Sequence, residues 1–199
     1  MTRIIAGIAG GRQIAVPPGR RTRPTSDRAR EALFATVTSV RGTLLGAAVL
    51  DLYAGSGAVG LEALSRGAAD VLLIESDSRA AQVIGENIAS LGLPGARVAC
   101  DRAERVLGRG PGETARRDFV FADPPYATNS DELAGVLRAL AGHGWLAAGA
   151  LIAVERATRS GPPPWPAPYV PGRSRRYGEA TLWYGRAAGE NAAPAATGG

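Results

Sequence analysis

The sequence predicts an α/β fold in which a mostly parallel sheet is covered by helices on both faces. From about residue 46, short apolar runs alternate with helical patterns, and this order is typical of parallel sheets. The run at residues 71–74 is continuously apolar, as expected of a strand that is buried on both faces. Near the end of the chain, two strand-like runs flank Gly178 and predict an antiparallel hairpin at one edge of the sheet.

The first 40 residues predict a small extension made of a β-hairpin and a helix. Short apolar pieces at residues 3–5 and 13–16 flank several glycines, which favours a hairpin. Thr25 or Ser26 can cap the helix that follows, because a side-chain oxygen there accepts from free backbone amides. Every fourth residue of this helix is apolar, which gives it one buried face: Ala29, Leu33 and Val37.

The remaining elements are predicted from apolar runs, from helical spacing of apolar residues, and from glycine or proline at their ends. The expected strands are residues 47–52, 71–74, 97–100, 118–122 and 150–154, with hairpin strands at 173–177 and 179–184. The expected helices are residues 58–65, 77–90 and 131–140. We therefore divide the chain into an extension over residues 1–40, a main domain over 41–186 and a disordered tail over 187–199.

Size and composition are those of a globular protein with one domain and small extensions. The chain has 199 residues, of which 45% are hydrophobic, and no apolar stretch approaches the length of a membrane span. Cys100 is the only cysteine, so an intrachain disulfide and a cysteine-based metal cluster are excluded. The amino terminus lacks the long apolar core of a secretory signal. We expect a cytoplasmic protein without a metal site, and a monomer.

Positive charge is concentrated at the two ends of the chain. All 23 basic residues are arginine. Residues 1–30 carry seven arginines against one acid, residues 156–186 carry six against one, and the stretch between them carries ten against fifteen. Arginine binds phosphate through two parallel hydrogen bonds, so clustered arginines favour a nucleic-acid partner over a merely solvated surface.

A glycine-rich loop lies where the first strand of the main domain meets its first helix. Gly55, Gly57 and Gly60 match the G-x-G-x-x-G pattern, and Glu75 ends the next strand, about twenty residues on. An acid at that place can bind the two hydroxyls of a ribose. The pattern therefore leaves two ligands open, a nicotinamide dinucleotide and S-adenosylmethionine.

Three features favour S-adenosylmethionine. Asp51 precedes Gly55 by four residues, where a carboxylate would repel a pyrophosphate but suits the ammonium of a methionine group. Asp101 follows the third strand, in place to accept from an adenine amine. The fourth strand ends in a motif, residues 123–126, that has no evident role in hydride transfer. The predicted cofactor site comprises Asp51, Tyr53, Gly55, Ser56, Gly57, Gly60, Glu75, Asp101 and Asp123.

The motif Asp123-Pro124-Pro125-Tyr126 carries the predicted chemistry. Asp123 can accept from the exocyclic amine of a nucleobase, the prolines fix the turn, and Tyr126 offers a flat face for stacking. The simpler alternative is a strand-ending turn with a surface tyrosine. Because this motif and the cofactor residues follow successive strands, we expect them to meet at one edge of the sheet. We interpret Asp123, Pro124 and Tyr126 as the catalytic residues.

Residues 51–68 and 121–126 together resemble the class I S-adenosylmethionine-dependent methyltransferases that act on amines. The segments 3–7 and 23–34 narrow the resemblance to the bacterial 16S ribosomal RNA guanine-N2 methyltransferases of the RsmD type. The resemblance covers residues 3 to about 186. It implies a Rossmann-like sheet of seven strands whose last strand is antiparallel, and an extension that helps to hold RNA. It also implies 16S ribosomal RNA as substrate, within the assembling small ribosomal subunit.

The arginines of the extension are the predicted RNA-binding residues: Arg3, Arg12, Arg20, Arg21, Arg23, Arg28 and Arg30. Three alternatives stay open. An adenine-N6 DNA methyltransferase also suits residues 123–126, although such enzymes usually carry a separate target-reading domain. A protein glutamine methyltransferase would more usually have asparagine at position 123. A catalytically silent RNA-binding module would not need an intact glycine loop together with Glu75 and Asp123.

Overall fold

The structure, a computed structural model, describes residues 2–18 and 27–188. Its strands are β1 (Thr2–Arg3), β2 (Gln13–Ile14), β3 (Ala48–Leu52), β4 (Asp70–Glu75), β5 (Ala96–Cys100), β6 (Arg117–Ala122), β7 (Leu146–Ala157), β8 (Tyr169–Tyr177) and β9 (Ala180–Ala187). Its α-helices are α1 (Asp27–Arg41), α2 (Ala58–Ser65), α3 (Ser78–Leu91), α4 (Ala103–Gly108) and α5 (Ser130–Gly142). Within the two described ranges, no helix combines the length and apolarity needed to span a bilayer.

Strands β3 to β9 form a seven-stranded sheet with the order β5-β4-β3-β6-β7-β9-β8, and β1 and β2 form a separate antiparallel hairpin. Strands β3 to β7 pair in parallel, whereas β9 runs antiparallel between β7 and β8. From β3 the chain proceeds outward to β4 and β5, then crosses back to β6 on the other side of β3. The strand order therefore reverses between β3 and β6, which is where ligands bind in open parallel sheets.

Two apolar cores cover the two faces of the sheet. One core joins α1, α2 and α3 to the sheet, and the other joins α4 and α5 to the opposite face. Along β6, Phe119 and Phe121 lie in the first core, whereas Val120 and Ala122 lie in the second. This division follows from the alternation of side chains along a strand. The predicted α/β fold, with helices on both faces and an antiparallel terminal hairpin, is confirmed.

The β1–β2 hairpin is fastened to α2. The fully buried Glu62 accepts from the backbone amides of Ile5 and Ala6, at 2.6 and 3.0 Å. One turn further along α2, the Ser65 hydroxyl accepts from the Ala9 amide at 2.9 Å and donates to the Ala6 carbonyl at 2.6 Å. Because α2 begins at the glycine loop, the amino-terminal hairpin and the loop are held by the same helix.

The predicted elements are found with small changes at their ends. Helix α2 has the predicted bounds, whereas β7 extends beyond the predicted 150–154 in both directions. Helix α4 is an addition that apolar spacing does not predict, because its six residues are too few to show a helical repeat. The predicted cap at Thr25 or Ser26 lies outside the described residues. Most of the predicted tail, residues 187–199, also lies outside them, and its first residue, Ala187, is the last residue of β9.

Candidate active site

The predicted site residues meet at one edge of the sheet, where the parallel strands β3 to β6 end. Leu52, the last residue of β3, pairs with Ile74 of β4 and with Ala122 of β6. Glu75 pairs with the last residue of β5, directly before Asp101. The last residues of β3, β4, β5 and β6 therefore lie side by side along one edge of the sheet. They lie on both sides of the point where the strand order reverses.

The glycine loop turns tightly from β3 into α2. Tyr53, Gly55 and Gly57 have φ angles of 64°, 60° and 79°, in the left-handed region that glycine adopts without strain. Tyr53 is a non-glycine residue held in this region, its ring packs against the second core, and burial raises the pKa of its hydroxyl. A Cβ atom on Gly60 would lie only 2.8 Å from Cδ2 of Leu73, so this glycine lets α2 pack closely against β4.

Asp51 lies beneath the loop rather than at its surface. The residue is 1% exposed, and its Oδ2 accepts from the Gly60 amide at 2.8 Å. Burial raises the pKa of Asp51 to about 7; the hydrogen bond from Gly60 opposes this shift and the charge of Glu75 adds to it. The acid therefore supports the start of α2, and a cation near it would favour its charged form.

Glu75 connects the glycine loop to the start of α3. Its Oε2 accepts from the Gly55 amide and its Oε1 from the Asp77 amide, both at 2.9 Å. Asp77 in turn caps α3 by accepting from the amides of Arg79 and Ala80. These contacts fix the Glu75 carboxylate in place between the glycine loop and α3.

Asp101 lies at the rim of the site beside two arginines. Its carboxylate is 2.9 Å from the Arg109 guanidinium and 3.7 Å from that of Arg105. The backbone amide of Arg102 and then the hydrogen bond from Arg109 hold the pKa of Asp101 below its usual value. This acid is therefore ionised at neutral pH and can accept a hydrogen bond from an amine.

Asn87 is a site residue that the sequence does not reveal. Its Nδ2 donates to the carbonyls of Ser56 and Ala15, each at 3.0 Å, and its Oδ1 accepts from the Ala15 amide at 2.8 Å. Asn87 is 3% exposed on α3 and joins the glycine loop to the segment after β2. A single asparagine on the buried face of a helix belongs to no sequence pattern from which these contacts could be predicted.

Residues 123–126 lie directly beyond β6. The Asp123 amide donates to the Leu52 carbonyl at 3.5 Å, which keeps the motif beside the end of β3. The Thr128 amide donates to the Pro125 carbonyl at 2.8 Å and closes the turn that leads to α5. Tyr126 is 75% exposed. An exposed aromatic ring next to a carboxylate suits a flat ligand that carries an amine.

A shallow depression joins residues 123–126 to the end of β7. Glu155 and Arg156 also line it. The Arg156 guanidinium donates to the Pro162 carbonyl at 2.8 Å and to the Ser130 hydroxyl at 3.3 Å, so it connects the proline-rich loop to the start of α5. Neither Glu155 nor Arg156 belongs to a recognisable motif; they reach the site because β7 pairs with β6.

The predicted RNA-binding arginines have different surroundings. Arg3, Arg12 and Arg28 are exposed. Arg3 lies 3.5 Å from Asp27, whereas Arg12 donates to carbonyls at the end of α3, those of Ser90 and Leu91. Three further predicted residues lie outside the described part of the chain: Arg20, Arg21 and Arg23.

The prediction that Arg30 binds RNA is wrong. Its side chain is fully buried, donates to the Arg3 carbonyl and to Asp27, and lies 3.8 Å from Glu62. A guanidinium with no exposed surface cannot contact a phosphate, so Arg30 instead holds α1 against the hairpin and α2. The position of Arg30, directly after Ala29 on the apolar face of α1, is the signal in the sequence that could have indicated burial.

The residues at this edge fit a cationic nucleoside better than a dinucleotide. The carboxylates of Asp51, Glu75 and Asp101 all come to this edge, where they would repel a pyrophosphate and attract a cation. Gly60 gives the close helix packing that brings the loop to the sheet edge. Together with the strand order, this arrangement defines a class I S-adenosylmethionine-dependent methyltransferase.

Comparison with known proteins gives the family. The family described as Conserved hypothetical protein 95 matches residues 2–186, and the chain belongs to it. The chain is 39% identical over 191 residues to Ribosomal RNA small subunit methyltransferase D of Escherichia coli K12, across 95% of this chain and 92% of that protein. A protein of the same name from Haemophilus influenzae is 35% identical over 159 residues, across 77% of each chain.

Solved structures agree with this assignment. A protein from Escherichia coli described as a methyltransferase matches with a TM-score of 0.81 and 38% identity, across 95% of this chain and 99% of that one. The magnesium protoporphyrin IX methyltransferase of Synechocystis, solved with bound S-adenosylmethionine, matches with a TM-score of 0.62 and 12% identity, across 81% and 79%. The second match shows that the fold is shared.

Proposed function

We propose that this enzyme transfers a methyl group from S-adenosylmethionine to the exocyclic N2 amine of a guanine in 16S ribosomal RNA. The observation that carries the proposal is the position of residues 123–126, beside the glycine loop where the strand order reverses. The relative that is 39% identical is named for small-subunit ribosomal RNA, which supports RNA over DNA as substrate. The choice of guanine N2 over adenine N6 rests on the resemblance of residues 3–34.

The residues of the motif would act mainly by positioning the amine. The N2 lone pair of guanine is delocalised into the ring, so the amine is a poor nucleophile. Asp123 and the Pro124 carbonyl would each accept one amine hydrogen, which turns the lone pair toward the methyl group. The charge of Asp123 would stabilise the positive charge that grows on nitrogen, and the same carboxylate can take the proton that leaves. Tyr126 would stack on the flipped base.

The cofactor, when bound, supplies an electrophilic methyl group on a sulfonium. We propose that Glu75 accepts from its ribose hydroxyls and Asp101 from its adenine amine. Asp51 would act from beneath the loop, where its negative charge favours the ammonium of the methionine group. The turn from β3 to α2 would surround the methionine part with the remaining predicted contacts: Tyr53, Gly55, Ser56, Gly57 and Gly60.

RNA binding would lie on the extension over residues 1–40, and catalysis on the main domain over residues 41–186. The exposed Arg3, Arg12 and Arg28 can contact phosphates, and the sequence predicts the same role for Arg20, Arg21 and Arg23. We propose that the protein works as a cytoplasmic monomer on 16S ribosomal RNA within the assembling small subunit.

The role of Asp123 is tested by replacement with alanine. Asp123→Ala should lower kcat by at least about 100-fold, because it removes the acceptor that orients and stabilises the amine. Affinity for S-adenosylmethionine, measured by calorimetry, should fall by less than about tenfold, because Asp123 is one of nine predicted cofactor contacts. The matched control is Asp131→Ala, which removes an exposed acid at the start of α5 and should leave both quantities unchanged. Loss of cofactor binding in Asp123→Ala would contradict the proposed role.

A further inference from the structure

We propose that Glu155 is a specificity-determining residue that accepts a hydrogen bond from N1–H of the target guanine. The inference rests on the proposed function, since it concerns the base that residues 123–126 would hold. It adds what the motif lacks, a reason for this site to choose guanine over adenine.

The register of β6 and β7 places Glu155 beside Asp123. Phe121 pairs with Ala153 and Ala122 with Val154, so Asp123, the first residue beyond β6, lies level with Glu155 of β7. Phe121 and Ala153 lie in the same core, and alternation along β7 returns the Glu155 side chain to the face on which Ala153 lies. Neighbouring strands are about 4.8 Å apart, so the two carboxylates can reach adjacent atoms of one base.

The surface around the two acids supports the same reading. Asp123 and Glu155 line one depression together with Tyr126, whose exposed ring would carry the base. Glu155 is partly buried and is the first β7 residue beyond a fully buried run, Ala150–Val154. A carboxylate accepts several hydrogen bonds at once, so contacts of Glu155 within the protein leave it able to accept another from a ligand.

Hydrogen-bond chemistry then separates the bases. Guanine presents two neighbouring donors on this edge, its N2 amine and N1–H, which match two neighbouring acceptors. Adenine presents its N6 amine beside N1, which is an acceptor and would face the negative charge of Glu155. A site built to accept a ligand N–H rejects an analogue that lacks it, because a polar group of the site then loses its partner.

The test compares guanosine with 2-aminopurine riboside at the methylated position of 16S ribosomal RNA that has been assembled with its proteins into small subunits. Both bases carry the 2-amine, but N1 of 2-aminopurine has no hydrogen and points a lone pair toward Glu155. The wild-type enzyme should prefer guanosine in kcat/KM by about 100-fold. In Glu155→Ala that preference should fall to within about tenfold. Glu155→Gln should also narrow it, because the amide can donate to N1 of 2-aminopurine.

The matched control is Glu179→Ala, which removes an exposed acid from the neighbouring β8–β9 turn. The Glu179→Ala variant should keep the wild-type preference for guanosine, since it removes a surface charge without changing a residue that contacts the base. Calorimetry with S-adenosylmethionine shows that each variant is folded. A preference kept by both Glu155 variants, or absent from the wild type, overturns the inference while the proposed function stands. A wild-type enzyme that methylates neither RNA contradicts the proposed function itself.

Discussion

Single residues at the sheet edge differ in how far they are removed from water, and this difference separates their tasks. Asp51 and Glu75 are buried and accept from backbone amides, so they shape the glycine loop from beneath. Asp101 and Tyr126 lie at the surface, where a ligand can meet them directly. A buried acid is tested best by the pH dependence of protein stability. An exposed ring is tested best by substituting it and measuring activity.

Asp51 should make stability fall as pH rises. The folded protein keeps the Asp51 proton up to about pH 7, whereas the unfolded chain loses it near the ordinary aspartate pKa of 3.8. The native state therefore binds more protons between these values, and the free energy of unfolding decreases with pH. Urea unfolding without cofactor should show Asp51→Asn gaining about 1–3 kcal/mol relative to wild type between pH 5 and 8. A difference that does not change with pH would contradict the burial of this charge.

Tyr126 should contribute to turnover and not to stability. Tyr126→Ala should lower kcat/KM by about 10- to 100-fold, since stacking of a base on an aromatic ring is worth about 1–3 kcal/mol. Tyr126→Phe keeps the ring and should stay within about threefold of wild type. Because the side chain is 75% exposed, the thermal midpoint of both variants should match wild type. Equal losses in the two variants would point to the hydroxyl instead of the ring.

For single residues, the sequence predicts which side chains serve the reaction better than it predicts which neighbours each side chain contacts. The acids and glycines of the predicted cofactor site reach one sheet edge because strand order alone brings them there. The basic neighbours of Arg30 in the sequence predict an RNA contact, yet packing of α1 buries its side chain. Asn87 and Glu155 could not be found, because their places depend on pairings between elements far apart in the chain.

Among the elements, the contact of α2 with the sheet sets the position of the glycine loop. A Cβ atom on Gly60 would lie 2.8 Å from Leu73 of β4, and one on Gly57 would lie 3.1 Å from the same side chain, so both positions are tight for a larger residue. The same helix holds the amino-terminal hairpin through Glu62 and Ser65. A change that moves α2 should therefore disturb the loop and the extension together.

Gly60→Ala should destabilise the protein by about 1–3 kcal/mol, because overpacking forces the sheet and helix apart. Its new Cβ would lie 2.8 Å from Leu73 and 3.1 Å from Val71. Gly85→Ala on α3 is the matched control, since a Cβ there meets nothing within 4 Å and alanine favours the helix. Urea unfolding should show the control at or above wild-type stability. Equal effects of the two substitutions would contradict the close packing of α2.

Prediction of the elements succeeds where the local pattern is long or well bounded. Helix α2 starts after Gly57 and stops before Gly67, so both ends are marked in the sequence. The hairpin of β8 and β9 is marked by Gly178, which has a φ of 61°. Helix α4 has no such length, and β7 gains its extra residues by pairing with β6 and β9, which no local pattern contains.

In the whole molecule, the extension and the main domain share one apolar core. Ile4 of the hairpin region, Leu33 of α1 and Val49 of β3 belong to the same buried cluster. The exposed arginines of the extension and the glycine loop are therefore positioned by the same apolar core. With a net charge of +5 and arginine at both ends of the chain, the molecule is suited to RNA as partner.

The most direct measurement identifies the nucleoside that receives the methyl group. Purified protein is incubated with S-adenosylmethionine carrying a deuterated methyl group and with small ribosomal subunits, naked 16S ribosomal RNA or duplex DNA. Each nucleic acid is then digested and its nucleosides are analysed by mass spectrometry. We expect deuterated N2-methylguanosine from the ribosomal RNA samples and no deuterated nucleoside from DNA. Labelled N6-methyladenine in DNA, or no labelled nucleoside in any sample, would contradict this expectation.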